Sequence, residues 1–150
     1  MTDAERSRAI VTRARAATLS TVARDPAGYP YGSLVAVASD AAGRPLLLLS
    51  RLAEHTQNLA ERSDASLLFA EELVAGAPLL SGGRVTLLGP CRLVPERERA
   101  GARATFLAAH ADATYVDFPD FAFYRLEPIA ARFVGGFGRM SWVSADEYLA

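Results

Sequence analysis

Turn-forming clusters divide this sequence into short β-prone segments, and that spacing restricts the fold more than any other feature. The clusters lie at residues 25–28, 39–43, 75–83 and 117–119, and they are rich in Gly, Pro, Asp and Ser. The segments between them have the lengths of hairpin strands, and few helical stretches interrupt them. This pattern favours an antiparallel barrel over a doubly wound parallel sheet. We therefore expect a mainly β (α+β) fold with a few peripheral helices.

The individual elements follow from local patterns. Seven strands are predicted, at residues 18–23, 31–38, 46–49, 65–69, 84–94, 121–126 and 131–137. Pro90, inside the fifth of these strands, indicates an edge strand or a bulge. A capping box at residues 2–5 predicts a helix through about residue 17, and a second box at 144–147 predicts a short final helix. Helices are also expected at 53–62 and 95–110.

Charge and composition exclude several classes of function. The 16 basic and 17 acidic residues give a formal net charge of −1, so no field attracts nucleic acid or an anionic membrane. Every basic residue is Arg, which makes Arg the only fixed cation available for a phosphate. Cys91 is the only cysteine, so neither an intrachain disulfide nor a Cys-based zinc site is expected. No signal-peptide pattern or membrane-length apolar run occurs, and we expect a cytoplasmic protein.

The most informative segment runs from residue 46 to residue 58, where an apolar strand is followed by a helix. Such a turn brings free backbone N–H groups and the positive end of the helix dipole to one place. The side chains of Ser50, Arg51, His55 and Thr56 can add hydrogen-bond donors there. This chemistry suits a dianionic monophosphate. The alternative is that Ser50 or Thr56 only caps the helix while Arg51 and His55 face water.

Several segments, in this order, resemble the FMN-binding split barrels of the pyridoxamine 5′-phosphate oxidase superfamily. The resemblance is greatest to the haem-utilisation (HugZ-like) branch, and it covers nearly the whole chain. The segments that carry it are ATLST at 17–21, GYPYGSL at 28–34, LLLSRLAEHTQNL at 47–59, ASLLF at 65–69, RVTLLG at 84–89, YVDFPDFAFYRL at 115–126 and FVGGFG at 133–138. The resemblance implies one FMN-binding domain over residues 1–150, a six- to seven-stranded antiparallel split β-barrel.

The same resemblance implies a homodimer with FMN at its interface. The residues that it places beneath the isoalloxazine ring are Ser33, Leu34 and Val35. Those that it places around the phosphate and ribityl chain are Ser50, Arg51, His55, Thr56 and Asn58. Those that it brings from the partner subunit are Arg84 and Thr86. The opposite wall of the site would be formed by Gly136, Phe137 and Trp142.

Two departures from the resembling families narrow the function. Pyridoxamine phosphate oxidases usually carry a basic strand and a Lys in the phosphate turn, where this chain has Ser33 and His55. Their terminal Arg- and His-rich motif is replaced here by residues 135–140, so oxidation of vitamin B6 is not expected. The haem-utilisation proteins carry their haem-ligating His in an additional C-terminal domain. The 150 residues contain no counterpart of that domain, so we do not expect haem cleavage through that ligand.

Other candidate residues favour structural interpretations. His110 follows a predicted helix and has no neighbouring partner, which indicates a structural imidazole. No HxxxH, HExxH or CxxC spacing occurs, so no dedicated metal site is expected. The acidic residues Asp112, Asp117 and Asp120 are interpreted as solvated turn residues. The aromatic residues between 115 and 124 are interpreted as core and dimer-interface side chains.

The leading functional hypothesis is an FMN-dependent oxidoreductase that transfers a hydride or electrons to or from a small molecule such as NAD(P)H or haem. The cofactor would carry the redox chemistry, and no residue is nominated as catalytic. An alternative from another class is a flavin- or haem-binding carrier or sensor without turnover. A third is a dimerising barrel whose cofactor site has decayed.

Overall fold

The computed structural model describes all residues, 1–150, and its central feature is a closed barrel of six antiparallel strands. The barrel strands are β1 (Ala16–Val22), β2 (Pro30–Ser39), β3 (Pro45–Ser50), β4 (Asp64–Ala70), β5 (Arg84–Leu93) and β6 (Phe121–Leu126). They pair in the order β4-β1-β2-β3-β6-β5, and pairing of β4 with β5 closes the ring. The predicted fold class, an antiparallel split barrel with peripheral helices, is confirmed.

Two further strands, β7 (Ala130–Val134) and β8 (Met140–Ser144), extend the sheet outside the barrel. The first part of β5 pairs with β7, and its last residues, from Cys91 on, pair with β6. Gly89 and Pro90 lie where β5 changes neighbours, and a side chain at Gly89 would collide with the backbone of Glu127. Pro90 was predicted to mark an edge strand or a bulge, and the edge strand is excluded because β5 has neighbours on both sides.

The helices are α1 (Asp3–Arg13), α2 (Glu54–Glu61), α3 (Arg99–Ala109) and α4 (Ala145–Leu149), with a 3₁₀ turn at Glu96–Glu98. None of them has the length and apolar composition that a membrane crossing requires. The first capping box is confirmed: the Glu5 N–H donates to Thr2 Oγ1 at 3.1 Å, and the Thr2 N–H donates to Glu5 Oε2 at 2.7 Å. The helix ends four residues earlier than predicted, because the chain from Ala16 onward pairs with β2.

Strand β3 is buried on both faces, which explains its unbroken apolar sequence. Leu47 and Leu49 belong to the main core inside the barrel. Leu46 and Leu48 face the other way, into a second core that includes Phe106 of α3. Because successive side chains of a strand point to opposite faces, a strand between two cores has no polar position. This double burial fixes the end of β3, where the candidate site begins.

Candidate functional site

The turn between β3 and α2 leaves the N-terminus of α2 uncapped. Ala53 is the N-cap residue, and no side chain accepts a hydrogen bond there. Ser50 does not cap the helix, because its Oγ instead accepts from the Leu52 N–H at 3.2 Å. The first N–H groups of α2 therefore keep their partial positive charge available to an anion. The interpretation of Ser50 as a simple helix cap does not hold in the structure.

Beside this turn lies a cavity of about 240 Å³ between β2, β3, α2 and the start of β6. Its walls are mostly aliphatic and aromatic, with Ser50 and His55 as the polar side chains. The lining residues are Leu34, Val35, Ala36, Leu48, Leu49, Ser50, Ala53, His55, Tyr115 and Phe121. Four residues of the predicted site, Leu34, Val35, Ser50 and His55, thus meet at one cavity.

Among the side chains that line this cavity, His55 is the one that can both form hydrogen bonds and coordinate a metal. Burial lowers the pKa of its imidazole below the usual value of 6.5, because removal from water disfavours the charged form. The ring is only partly buried, and neither of its nitrogens has a hydrogen-bond partner within the chain. At neutral pH it therefore presents an uncharged imidazole that can accept a hydrogen bond or coordinate a metal.

The other histidine is committed to the fold, as its sequence context indicates. His110 is buried at the C-terminal end of α3, and its Nε2 lies 2.7 Å from the carbonyl oxygen of Val37. Its ring also lies against Phe106, with 4.7 Å between the centroids. These contacts fix α3 to β2. His55 is therefore the one histidine of the chain that is free to meet a ligand.

Asn58 lies one helical turn after His55 and is completely buried. Its Nδ2 donates to Thr21 Oγ1 at 3.1 Å, and its Oδ1 accepts from the Arg24 N–H at 3.0 Å. Both ends of the amide are thus engaged within the protein. These bonds fasten α2 to β1 and to the turn that follows it. Asn58 therefore positions the helix that carries His55 rather than facing the cavity.

Two buried hydroxyl groups near this end of the barrel have no hydrogen-bond partner. They are Ser33 Oγ, on the inner face of β2 opposite Leu19, and Thr56 Oγ1, in the first turn of α2. A buried hydroxyl without a partner costs free energy, so such groups indicate places where a ligand or water is accommodated. Both residues belong to the predicted site, although neither side chain lines the cavity in this structure.

Arg51 and Asp120 flank the open side of the turn. The Arg51 N–H donates to the Asp120 carbonyl oxygen at 2.7 Å, and Asp120 Oδ2 lies 3.5 Å from Ser50 Oγ. The Arg51 side chain is exposed and has no carboxylate within ion-pair distance. Its guanidinium is thus free to bind an anionic group. Asp120 was expected to be a solvated turn residue, but it holds the end of β3 against the start of β6.

The remaining five predicted residues lie away from the cavity within the same chain. Arg84 and Thr86 are on β5, and the Arg84 guanidinium donates to the Leu80 carbonyl oxygen at 3.2 Å. Gly136 and Phe137 form the turn between β7 and β8, where Gly136 has a φ of 104° that favours glycine. Trp142 is on β8 and is 63% exposed. A role for these residues beside the cavity requires a second subunit, as the resemblance implies.

Arg84, Thr86 and Trp142 share the outer face of the sheet, on which Leu34, Leu68 and Trp142 are exposed. Strand register aligns side chains there in rows across β2, β1, β4, β5, β7 and β8. The central row is Leu34, Thr18, Leu68, Thr86, Arg132 and Trp142. The flanking rows are Gly32, Ser20, Ser66, Leu88, Ala130 and Ser144, and Ala36, Ala16, Ala70, Arg84, Val134 and Met140. We call these three rows the outer face.

A larger cavity, of about 720 Å³, lies beside α1 and the end of β4. Its lining includes three basic residues, Arg6, Arg13 and Arg15, and two acidic residues, Glu71 and Glu72. These opposite charges largely offset one another, and none of the predicted site residues lies there. The smaller cavity beside α2 is therefore the candidate site.

Sequence reasoning missed the aromatic wall of this site. Tyr115 and Phe121 line the cavity with their ring centroids 4.9 Å apart, although they were assigned to the core and a dimer interface. Neither residue has a local sequence signal for this role. Their position depends on β6 pairing with β3, which joins segments 70 residues apart in sequence: Ser50 pairs with Phe121, and Arg51 bonds to Asp120.

Comparison with known proteins identifies a matching family and several proteins that are similar to this chain. A family model described as the β-barrel of CREG matches residues 1–150. The non-canonical heme oxygenase HOZ, chloroplastic, of Arabidopsis thaliana is 40% identical over 132 residues, which are 88% of this chain and 40% of that protein. A structure of a heme binding protein from Mycobacterium smegmatis superposes with a TM-score of 0.91 and is 34% identical. That superposition covers 99% of this chain and 60% of the other.

A more distant structure shares the fold alone. ChuZ of Campylobacter jejuni superposes with a TM-score of 0.78 at 18% identity, over 93% of this chain and 58% of that one. The chain thus spans only 40% to 60% of the length of these relatives.

Proposed function

The chain belongs to the CREG-like β-barrel family and has the split-barrel fold of the haem-utilisation branch, and on that premise we propose that it is a haem-binding module. In this proposal the chain binds haem without itself catalysing a reaction. Two relatives at 34% and 40% identity are named for binding haem and for haem oxygenase activity. This favours the alternative of a haem-binding carrier or sensor over the flavin oxidoreductase that was the leading hypothesis.

The observation that carries the proposal is the free imidazole of His55 in an apolar cavity. Neutral imidazole is a common ligand of haem iron, and burial favours the neutral form of His55, so His55 would hold the iron. Leu34, Tyr115 and Phe121 offer the apolar and aromatic contacts that a porphyrin ring needs. Arg51 supplies a free cation for a propionate. The residues present therefore fit haem. When bound, haem would supply the iron, and the protein would supply the site that holds it.

The cavity of one subunit is too small for the whole ligand, which supports a homodimer. At about 240 Å³ it lies below the ~300–1,000 Å³ of typical cofactor sites. One of its walls, Leu34, is 81% exposed and belongs to the outer face. A second copy packed on that face would close the cavity and bury the exposed side chains. We therefore include a homodimer through the outer face in the proposal.

A haemin titration tests the haem site. The wild-type protein should give a Soret shift that saturates at one haemin per subunit. His55→Ala should weaken binding by at least about tenfold, since it removes the proposed iron ligand. His110→Gln is the matched control, because its amide can still donate to the Val37 carbonyl oxygen and it lies outside the cavity. Wild-type affinity in His55→Ala would refute the assignment of the ligand.

A second candidate, an FMN-dependent oxidoreductase, is favoured by one specific feature. The uncapped N-terminus of α2, with Ser50 and Arg51 beside it, is suited to a phosphate dianion. In that case His55 and Thr56 would be further contacts to the phosphate and ribityl chain, and β2 from Ser33 to Val35 would support the flavin ring. The flavin would supply the redox chemistry, and the protein would orient it.

Titration with FMN separates the two candidates. Appearance of the bound flavin spectrum, its loss in Arg51→Gln and its bleaching by NADH or NADPH would establish the oxidoreductase. The control is Arg92→Gln, which removes an exposed Arg at the C-terminal end of β5. Binding of haemin but not FMN would leave the haem module as the function. Binding of neither would refute both candidates.

A further inference from the structure

Arg132 and Trp142 form a prominent pair at the far edge of the outer face. The Arg132 guanidinium carbon lies 5.3 Å from the centre of the Trp142 ring, in the geometry of a cation–π contact. Register places the two residues directly opposite each other on β7 and β8. Arg132 has no carboxylate within ion-pair distance and no side-chain hydrogen bond. Its charge is thus oriented but not neutralised within the chain.

The charge on the outer face is one-sided. Arg84 and Arg132 are the only charged residues in its three rows, and no row contains an acidic residue. Asp64 lies one step beyond the rows on β4, and Arg62 already binds it at 3.0 Å. When a second copy packs on this face with its β1 over β7, Arg132 faces Ala16, Thr18 and Ser20 of that copy, none of which carries a carboxylate. Burial of an unpaired guanidinium is costly, so the anion has to come from a third molecule.

Within one subunit Arg132 cannot reach the His55 cavity. Four strand spacings separate β7 from β2, a distance of about 19 Å at ~4.8 Å per strand. The situation changes when a second copy packs on the outer face in an isologous contact. With a two-fold axis parallel to the strands and between β4 and β5, the middle of this sheet, β8 of one copy lies over β2 of the other, and β7 lies over β1. Trp142 of one subunit then meets Leu34 of the other, at the mouth of the cavity.

We propose that Arg132, supported by Trp142, completes the ligand site of the neighbouring subunit and binds the carboxylate or phosphate of the ligand held there. This deepens the proposed function and rests on it. The same guanidinium serves a haem propionate or the phosphate of FMN, because both are anionic oxygens. Trp142 keeps the guanidinium in place and covers the mouth of the cavity with its ring.

Single substitutions give the first test, with whichever of haemin and FMN binds the wild type. Arg132→Gln should weaken binding by about tenfold or more, as expected for a lost charge-assisted contact. Trp142→Leu should weaken it as well, and Arg92→Gln should leave it unchanged. Each variant is also checked for dimer mass by analytical ultracentrifugation. Wild-type affinity in a dimeric Arg132→Gln protein would overturn the proposal.

Heterodimers decide between a contribution from the partner and one from the same chain. Two affinity tags allow purification of dimers with His55→Ala in one subunit and Arg132→Gln in the other. If Arg132 acts across the interface, one site is doubly impaired and the other is intact. About one ligand per dimer should then bind with wild-type affinity. If no wild-type site returns, Arg132 acts within its own chain and the inference is wrong, whereas wild-type binding by the His55→Ala homodimer would instead refute the proposed function.

Discussion

Replacement of Asn58 by Leu tests how the candidate site is held in place. Leu has the same branched shape as Asn, with two methyl groups in place of the amide oxygen and nitrogen, so the substitution leaves no cavity. It removes the donor to Thr21 Oγ1 and the acceptor for the Arg24 N–H, which lie 3.1 Å and 3.0 Å from the amide. Asn58 is fully buried, so water cannot replace it without a rearrangement of α2. The two former partners are left unsatisfied.

The expected loss follows from these two bonds. Each buried group that loses its partner costs about 1–3 kcal/mol, and the partly buried Arg24 N–H lies at the lower end of that range. The free energy of unfolding should therefore fall by about 2–4 kcal/mol, a large part of the ~5–15 kcal/mol of a typical domain. With a urea m-value of ~2 kcal/mol/M, the urea concentration at the midpoint of unfolding should fall by about 1–2 M.

The assay is urea unfolding followed by fluorescence of the single Trp, with Gln57→Ala as the control on the same helix. Thr21→Val in the Asn58→Leu background should recover part of the loss, because it removes one unsatisfied group. Ligand affinity should fall too, since α2 also carries His55. A midpoint within about 0.2 M of the wild type, or no recovery in the double variant, would refute this account of Asn58.

Three further predictions concern other parts of the molecule. Burial raises the pKa of the Cys91 thiol to about 12, so DTNB at pH 8 should react with it only after unfolding, and rapid reaction of the native protein would contradict this. Because burial lowers the pKa of His55 below the usual 6.5, protonation should halve haemin affinity only at a pH below 6.5. A decline in haemin affinity whose midpoint lies above pH 6.5 would show that His55 is not the iron ligand. Leu68→Glu, in the centre of the outer face, should convert the proposed dimer to a folded monomer in analytical ultracentrifugation, whereas Leu93→Glu at the other end of the barrel should not. A dimer that survives Leu68→Glu would exclude the outer face as the interface.

Elements whose signal is local were predicted well. The bounds of β6, Phe121–Leu126, agree with the predicted segment, and the Thr2 capping box begins α1 as expected. Errors occur where distant segments compete with local preference. Residues 16 and 17 are alanines, which favour a helix, yet they begin β1 and pair with β2. Strand β8 was missed because its one buried apolar residue, Val143, acquires an inner face only by pairing with β7.

The residues of the candidate site also fall into those that the sequence predicts and those that it does not. Ser50 and His55 could be found from the sequence, because a strand followed closely by a helix already brings N–H groups and polar side chains together. The opposite walls could not be found, since Leu34 and Phe121 reach the cavity through pairing of β2 and β6 with β3. The inward role of Asn58 depends on β1 in the same way. The predicted cytoplasmic location and the roles assigned to Arg84 and Thr86 stay predictions.

The sequence alone determined the class of fold, the strand-to-helix turn that is suited to a phosphate, and the absence of any fixed cation other than Arg. Periodicity, turn chemistry and composition are properties of neighbouring residues, so they survive without a structure. Only the tertiary structure decided that His55 is free while His110 is engaged, and that the outer face carries two Arg and no acid. Those facts depend on closure of the barrel and on strand register, which set side chains from distant segments opposite one another.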